Sequence, residues 1–142
     1  MNPKVRPFLG ALAGLVVSFV VITVIEMLGH LIYPPPDAAQ VASPGALAAY
    51  VAGLPPGSLF FVLAAWVLGT FLGGIAGALI AGGRPLLYAG IVGGMTLIGA
   101  VMNFFMIPHP GWFVGVSLVC IAGSAYLAAM MARNLLGQKE AA

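Results

Sequence analysis

The sequence predicts an all-α fold, a polytopic membrane protein built as an antiparallel bundle of four transmembrane helices with a short extra helix in the first outer loop. Three observations predict it. The 142 residues are 62% hydrophobic and 6% charged, with a mean hydropathy of +1.13, whereas a soluble domain carries about 25% charged residues. Four apolar stretches each reach the roughly 20 residues that a helix needs to cross a hydrocarbon core of about 30 Å. All five basic residues fall at the same ends of those stretches, as expected of a chain inserted in one fixed orientation.

The first span, 7–33, follows a short basic start containing Lys4 and Arg6. Its apolar run is longer than the about 7–15 residues of a signal-peptide core, and no small-residue cleavage site follows, so it is expected to stay as an uncleaved first span. The outer loop, 34–57, opens on three prolines. Within it Ser43 is placed to cap a short helix over 44–52, with Pro44 at its first position and Gly53 as its stop. Leu47, Tyr50, Val51 and Leu54 recur at i, i+3, i+4 and i+7 and give that helix one apolar face. It carries no Lys or Arg to grip lipid headgroups, which favours covering the end of the bundle over lying on the membrane.

The second, third and fourth spans are 58–81, 86–107 and 112–132, followed by a cytoplasmic tail, 133–142. The connections "GGRP" and "PHPGW" are short, so consecutive spans must be antiparallel neighbours. Pro7 and Pro85 suit a first helical turn, where a missing N–H is harmless. Lys4, Arg6, Arg84, Arg133 and Lys139 share one side, which puts both termini in the cytoplasm. The whole chain, 1–142, reads as one membrane domain. It has no basic cluster for a nucleic-acid partner, and its single cysteine, Cys120, excludes an internal disulfide.

Glycines four residues apart supply GxxxG packing positions: Gly10 and Gly14, then Gly69, Gly73 and Gly77, then Gly90 and Gly94. Such pairs let helix backbones approach closely where lipid is as apolar as the side chains. Packing inside the bundle is the first reading and a dimer seam the second. Besides the lipid bilayer, the expected partner is a second copy or another membrane subunit. Polar residues also form stripes: Thr23, Glu26, His30 and Tyr33 in span 1, Trp66, Thr70 and Gly73 in span 2, Thr96, Gly99, Asn103 and Met106 in span 3, and Ser117, Cys120 and Ser124 in span 4. The stripes should turn inward. The hydroxyls of Thr23, Thr96, Ser117 and Ser124 are expected to bond carbonyls of their own helices.

Glu26 is the candidate that stands out. Seven residues before Tyr33, it lies about 10 Å below the outer interface, and an ionised carboxylate there costs at least about 2.5–3.5 kcal/mol. His30 sits one turn further along the same face. Topology brings Asn103 and His109 to the same level, with Asp37 just beyond the prolines, so these five are the candidate ligand- or proton-binding residues. Tyr33 and Trp112 are assigned to the aromatic belt of the interface.

Three readings follow. Glu26 and its neighbours bind a cation or proton, for transport or simple binding. Alternatively, Glu26 and His30 form a packing pair in an accessory subunit. As a third, Glu26, His30 and His109 are the side chains that would hold a metal ion, although no H-E-x-x-H or C-x-x-C motif is present. The chain is expected to lack the aromatic surroundings that an organic cation would want. No nucleophile–base–orienter set is visible, so neither catalysis nor an organic cofactor is expected. The combination of E-x-x-G-H (Glu26 to His30), the proline-rich exit and "PHPGW" (Pro108 to Trp112) resembles small uncharacterised four-span proteins of bacterial inner membranes. The resemblance implies that location and implies no activity.

Overall fold

Proline sets where three of the five helices begin. In the structure, a computed structural model describing residues 5–141 with side chains to 138, α1 spans Arg6–Ile32, α2 Pro44–Ala52, α3 Pro56–Ala81, α4 Pro85–Met106 and α5 Gly111–Ala141. A 3-10 turn, Ala38–Val41, precedes α2. Prolines occupy the first turns of α1 to α4 because φ is already near the helical value and no donor is lost. Lys4 and the side chain of Lys139, both used for the orientation, lie outside the described residues. Helices α1, α3, α4 and α5 are each long and apolar enough to cross a membrane, and α2 is the short helix between the first two of them. Helix α5 does not stop at 132, where the fourth span is expected to end, but runs on through 133–141 to Ala141. Residues 133–141 contain no proline and are rich in good helix formers, so nothing local ends the helix.

The four long helices do not close a square. α3 packs against α1, α4 and α5, and α4 packs against α5, whereas α1 rests on α3, touches α4 over a short stretch and does not meet α5 among the described residues. The core is therefore a triangle of α3, α4 and α5 with α1 laid along one side.

Glycine makes that side adhere. A methyl group added at Gly10 would lie 2.6 Å from Ala81 Cβ, and at Gly14 2.9 Å from the Gly73 carbonyl oxygen. Added at Gly73 it would lie 2.5 Å from the Gly14 carbonyl oxygen, and at Gly69 2.5 Å from Ile22. The matched order, 10 with 77–81, 14 with 73 and 22 with 69, makes α1 and α3 antiparallel at backbone contact.

Gly90 and Gly94 do not serve this purpose. Neither has an atom within 4 Å of where a Cβ would sit. The buried face of α4 is Ala89, Val92, Gly93, Thr96 and Ala100, and Gly93 meets α5 at Ala125, 2.6 Å from its would-be Cβ. The i, i+4 pair therefore sits beside the contact face rather than on it.

The hydroxyls expected to bond their own helices divide, and Ser117 Oγ is buried with no partner among the described residues. Thr96 Oγ1 donates to its own helix at Val92 O (3.0 Å), as expected. Ser124 Oγ instead donates across to Val67 O of α3 (2.7 Å), because α3 and α5 lie close enough to offer a foreign carbonyl.

At one end Arg6 Nε donates to Ile80 O (3.0 Å), joining α1 to the last turn of α3. Gly82 takes φ +74° there, and its α-carbon faces the Arg6 guanidinium. Ala11, Ala78, Tyr88 and Ala132 cluster just inside this end, which also carries Arg84 and Arg133. The opposite end carries the prolines of both loops.

Candidate functional site

A cavity of about 300 Å³ opens at the proline end of the bundle. Helix α1 supplies Glu26, Gly29 and His30, with Tyr33 just past its last turn. Spacing accounts for this, since positions three to four apart share a helix face. The end of α4 and the turn after it supply Asn103, Ile107 and His109, and the start of α3 supplies Ser58, Phe61 and Val62. Across the opening lies α2, whose Leu47, Tyr50 and Val51, with Leu54 beyond, turn their shared face to the cavity. That helix is started by Ser43, whose Oγ accepts from Ala46 N at 3.2 Å.

Four of the five candidate residues thus meet at one cavity. Asp37 does not join them. It is exposed at the 3-10 turn, where its backbone N–H donates to Gln40 Oε1 at 2.9 Å.

Glu26 is half-buried, with the Trp66 indole of α3 and the His30 imidazole as its polar neighbours. Glu26 and His30 close no direct ion pair, and His30 is exposed while lining the cavity. Asn103 Oδ1 is buried without a hydrogen-bond partner, a state that costs about 1–3 kcal/mol unless something is bound to it.

His109 is held firmly. Its Nδ1 lies 2.8 Å from Ile107 O; a carbonyl only accepts, so Nδ1 carries the proton and Nε2 of the neutral ring is left as an acceptor. The ring stacks on Phe113 (5.2 Å between centroids, 17° between planes) and meets the edge of Phe104 at 5.4 Å. Burial pushes its pKa below the ordinary 6.5, against a smaller upward pull from the Ile107 hydrogen bond. The ring is therefore neutral at pH 7.

The metal reading fails on geometry. Among the described residues no three His, Cys, Asp or Glu side chains stand close enough to share an ion. Glu26 and His30 line one wall, while His109 is tied to its own turn and stacked on Phe113.

The expectation of non-aromatic surroundings is also overturned. Tyr33, Tyr50 and Phe61 line the cavity with Glu26, and Trp66, Phe104 and Phe113 form a cluster behind it with centroids 5.7, 5.9 and 6.2 Å apart. These rings come from five different segments, so no local stretch of sequence displays them together. Tyr33 belongs to the cavity wall, where it meets Phe61 edge-on at 6.1 Å and packs over Gly57. Its place three residues after His30 was the signal for this. Ser58 had no such signal; its hydroxyl proton goes to Pro55 O (2.8 Å), so it presents lone pairs only.

Fold and site together define a four-span helical membrane protein with a roofed, acceptor-lined cavity at one end. Set against protein-family models, curated proteins and solved structures, the chain matches none.

Proposed function

We propose that this protein binds a cation in the proline-end cavity, with Glu26 as its countercharge. The observation that carries this is the balance of the lining. Glu26, Asn103 Oδ1, His109 Nε2 and Ser58 Oγ all offer acceptors, and among the described residues no Lys or Arg lines the cavity. The described arginines stand at the other end of the bundle. A bound cation offsets the at least about 2.5–3.5 kcal/mol that an ionised carboxylate costs inside a membrane, and ring faces such as those of Tyr33, Tyr50 and Phe61 add to its attraction. The site can hold a proton in place of the cation, which is the chemistry that exchange across a membrane requires. The one-sided basic residues support an orientation with the cavity facing outward and both termini inside, and a bacterial inner membrane is what the resemblance carried by Glu26 to His30 and Pro108 to Trp112 implies.

The test is binding of ethylammonium to the full chain in lipid nanodiscs, read by tryptophan fluorescence, since Trp66 adjoins Glu26. Glu26→Gln should weaken binding by about tenfold or more, equivalent to about 1.4 kcal/mol, with His30→Ala having a smaller effect. Equal affinity in the wild-type and Glu26→Gln proteins sinks the proposal. The accessory-subunit alternative has less support, because Glu26 and His30 close no ion pair. It expects Glu26→Gln to lose a co-purifying partner and no ligand.

A further inference from the structure

A second hollow lies against the first. Between α1 and α4, where those helices barely touch, a groove of about 420 Å³ opens sideways from the bundle. Phe19 and Ile22 form one wall, Met95 and Gly99 the other, and Trp66 the floor. Asn103 closes its upper end and also lines the acceptor-rich cavity. Trp66, the floor of the groove, is also a neighbour of Glu26. From Met95 to Asn103 the groove runs about 12 Å along α4.

Both walls belong to helices long and apolar enough to cross the membrane, so the groove opens onto hydrocarbon, not water. A largely apolar slot that ends at an unpartnered amide oxygen, shared with a cavity that a carboxylate lines, has the polarity of one kind of molecule. We infer that the ligand of this site is a single-chain amphiphile with an ammonium head, which enters sideways from the bilayer with its chain between α1 and α4. Its head donates to Asn103 Oδ1 and faces Glu26. This rests on the cation reading above and adds the substrate class and the route. The route follows from the asymmetry of the fold: α1 grips α3 through glycine and leaves its α4 side open.

Gly99 provides the test. No atom lies within 4 Å of where its Cβ would be, so Gly99→Phe fills the groove without a backbone clash. Met95→Trp, from an exposed position on the same wall, is the second variant. Dodecylammonium and ethylammonium are titrated into nanodiscs carrying the full-length protein, with dodecylammonium expressed as its mole fraction in the lipid to remove simple partitioning. Expected is a loss of about tenfold or more in dodecylammonium affinity in both groove variants, with ethylammonium affinity within about twofold of wild type. Glu26→Gln should weaken both ligands. If the groove variants bind dodecylammonium as well as wild type while Glu26→Gln weakens both ligands, the lateral route is wrong and the cation site stands. If Glu26→Gln weakens neither, both readings fall.

Discussion

His109 owes its protonation state to one carbonyl within its own turn and to two rings from the helices on either side. The Ile107 carbonyl, two residues back, fixes the proton on Nδ1, while Phe104 and Phe113, from separate helices, enclose the ring and depress its pKa. Because the folded pKa lies below the ordinary 6.5, the unfolded chain takes up this proton first as pH falls. The contribution of His109 is therefore intact above the ordinary value and is lost as pH drops through it toward the folded pKa. Thermal unfolding of wild type and His109→Phe between about pH 7.5 and 5.5 should show the wild type losing more stability on acidification. Glu26 and His30 are present in both proteins, so the difference between them isolates His109; parallel curves would refute the assignment. Gly82 is a second residue whose role is conformational. With φ +74° and the Arg6 guanidinium where a Cβ would go, Gly82→Ala should cost about 1–2 kcal/mol in thermal or detergent unfolding. The sequence shows a turn at "GGRP"; that Arg6 reaches across to it follows only from α1 lying on α3.

Helix pairing separates glycines that look alike in sequence. Gly73 and Gly94 both belong to four-residue repeats, yet a side chain at Gly73 strikes the Gly14 backbone at 2.5 Å, and one at Gly94 meets open space. Backbone cannot swing aside as a side chain can. Gly73→Leu should therefore force α1 off α3 and cost about 1–3 kcal/mol or more, whereas Gly94→Leu should stay within about 0.5 kcal/mol. Comparative melting in the same detergent checks this, and equal losses would contradict the interface. The repeats were legible because spacing is local. The face that is used was not, because Ala125 of α5 selects Gly93 rather than its neighbour Gly94. Helix α2 shows the same division. Its cap, first proline and apolar face are all local features, but the cavity beneath that face exists only because α1, α3 and α4 end around it.

Across the whole molecule, the triangle of α3, α4 and α5 with α1 alongside gives the protein one tight seam and one open one. The proposed orientation is checked by a reporter fused after Ala142 that works only outside the membrane. It should stay inactive, and activity would reverse the reading. Span number, the short helix and the grouping of basic residues at one end could all be read directly. They depend on composition and length measured against a bilayer of fixed thickness, which are properties of each segment alone. Glu26, His30, Asn103 and His109 could be placed at one level for the same reason, since rise per residue and antiparallel order set depth. Tertiary structure decided the rest. It left Asp37 out of the cavity wall, tied His109 to its own turn, set Tyr33, Tyr50 and Phe61 in the same lining as Glu26, and left a groove between α1 and α4. Each of these depends on how far a helix is rotated about its own axis and on which partner its smallest residues meet, and neither is encoded in any single span.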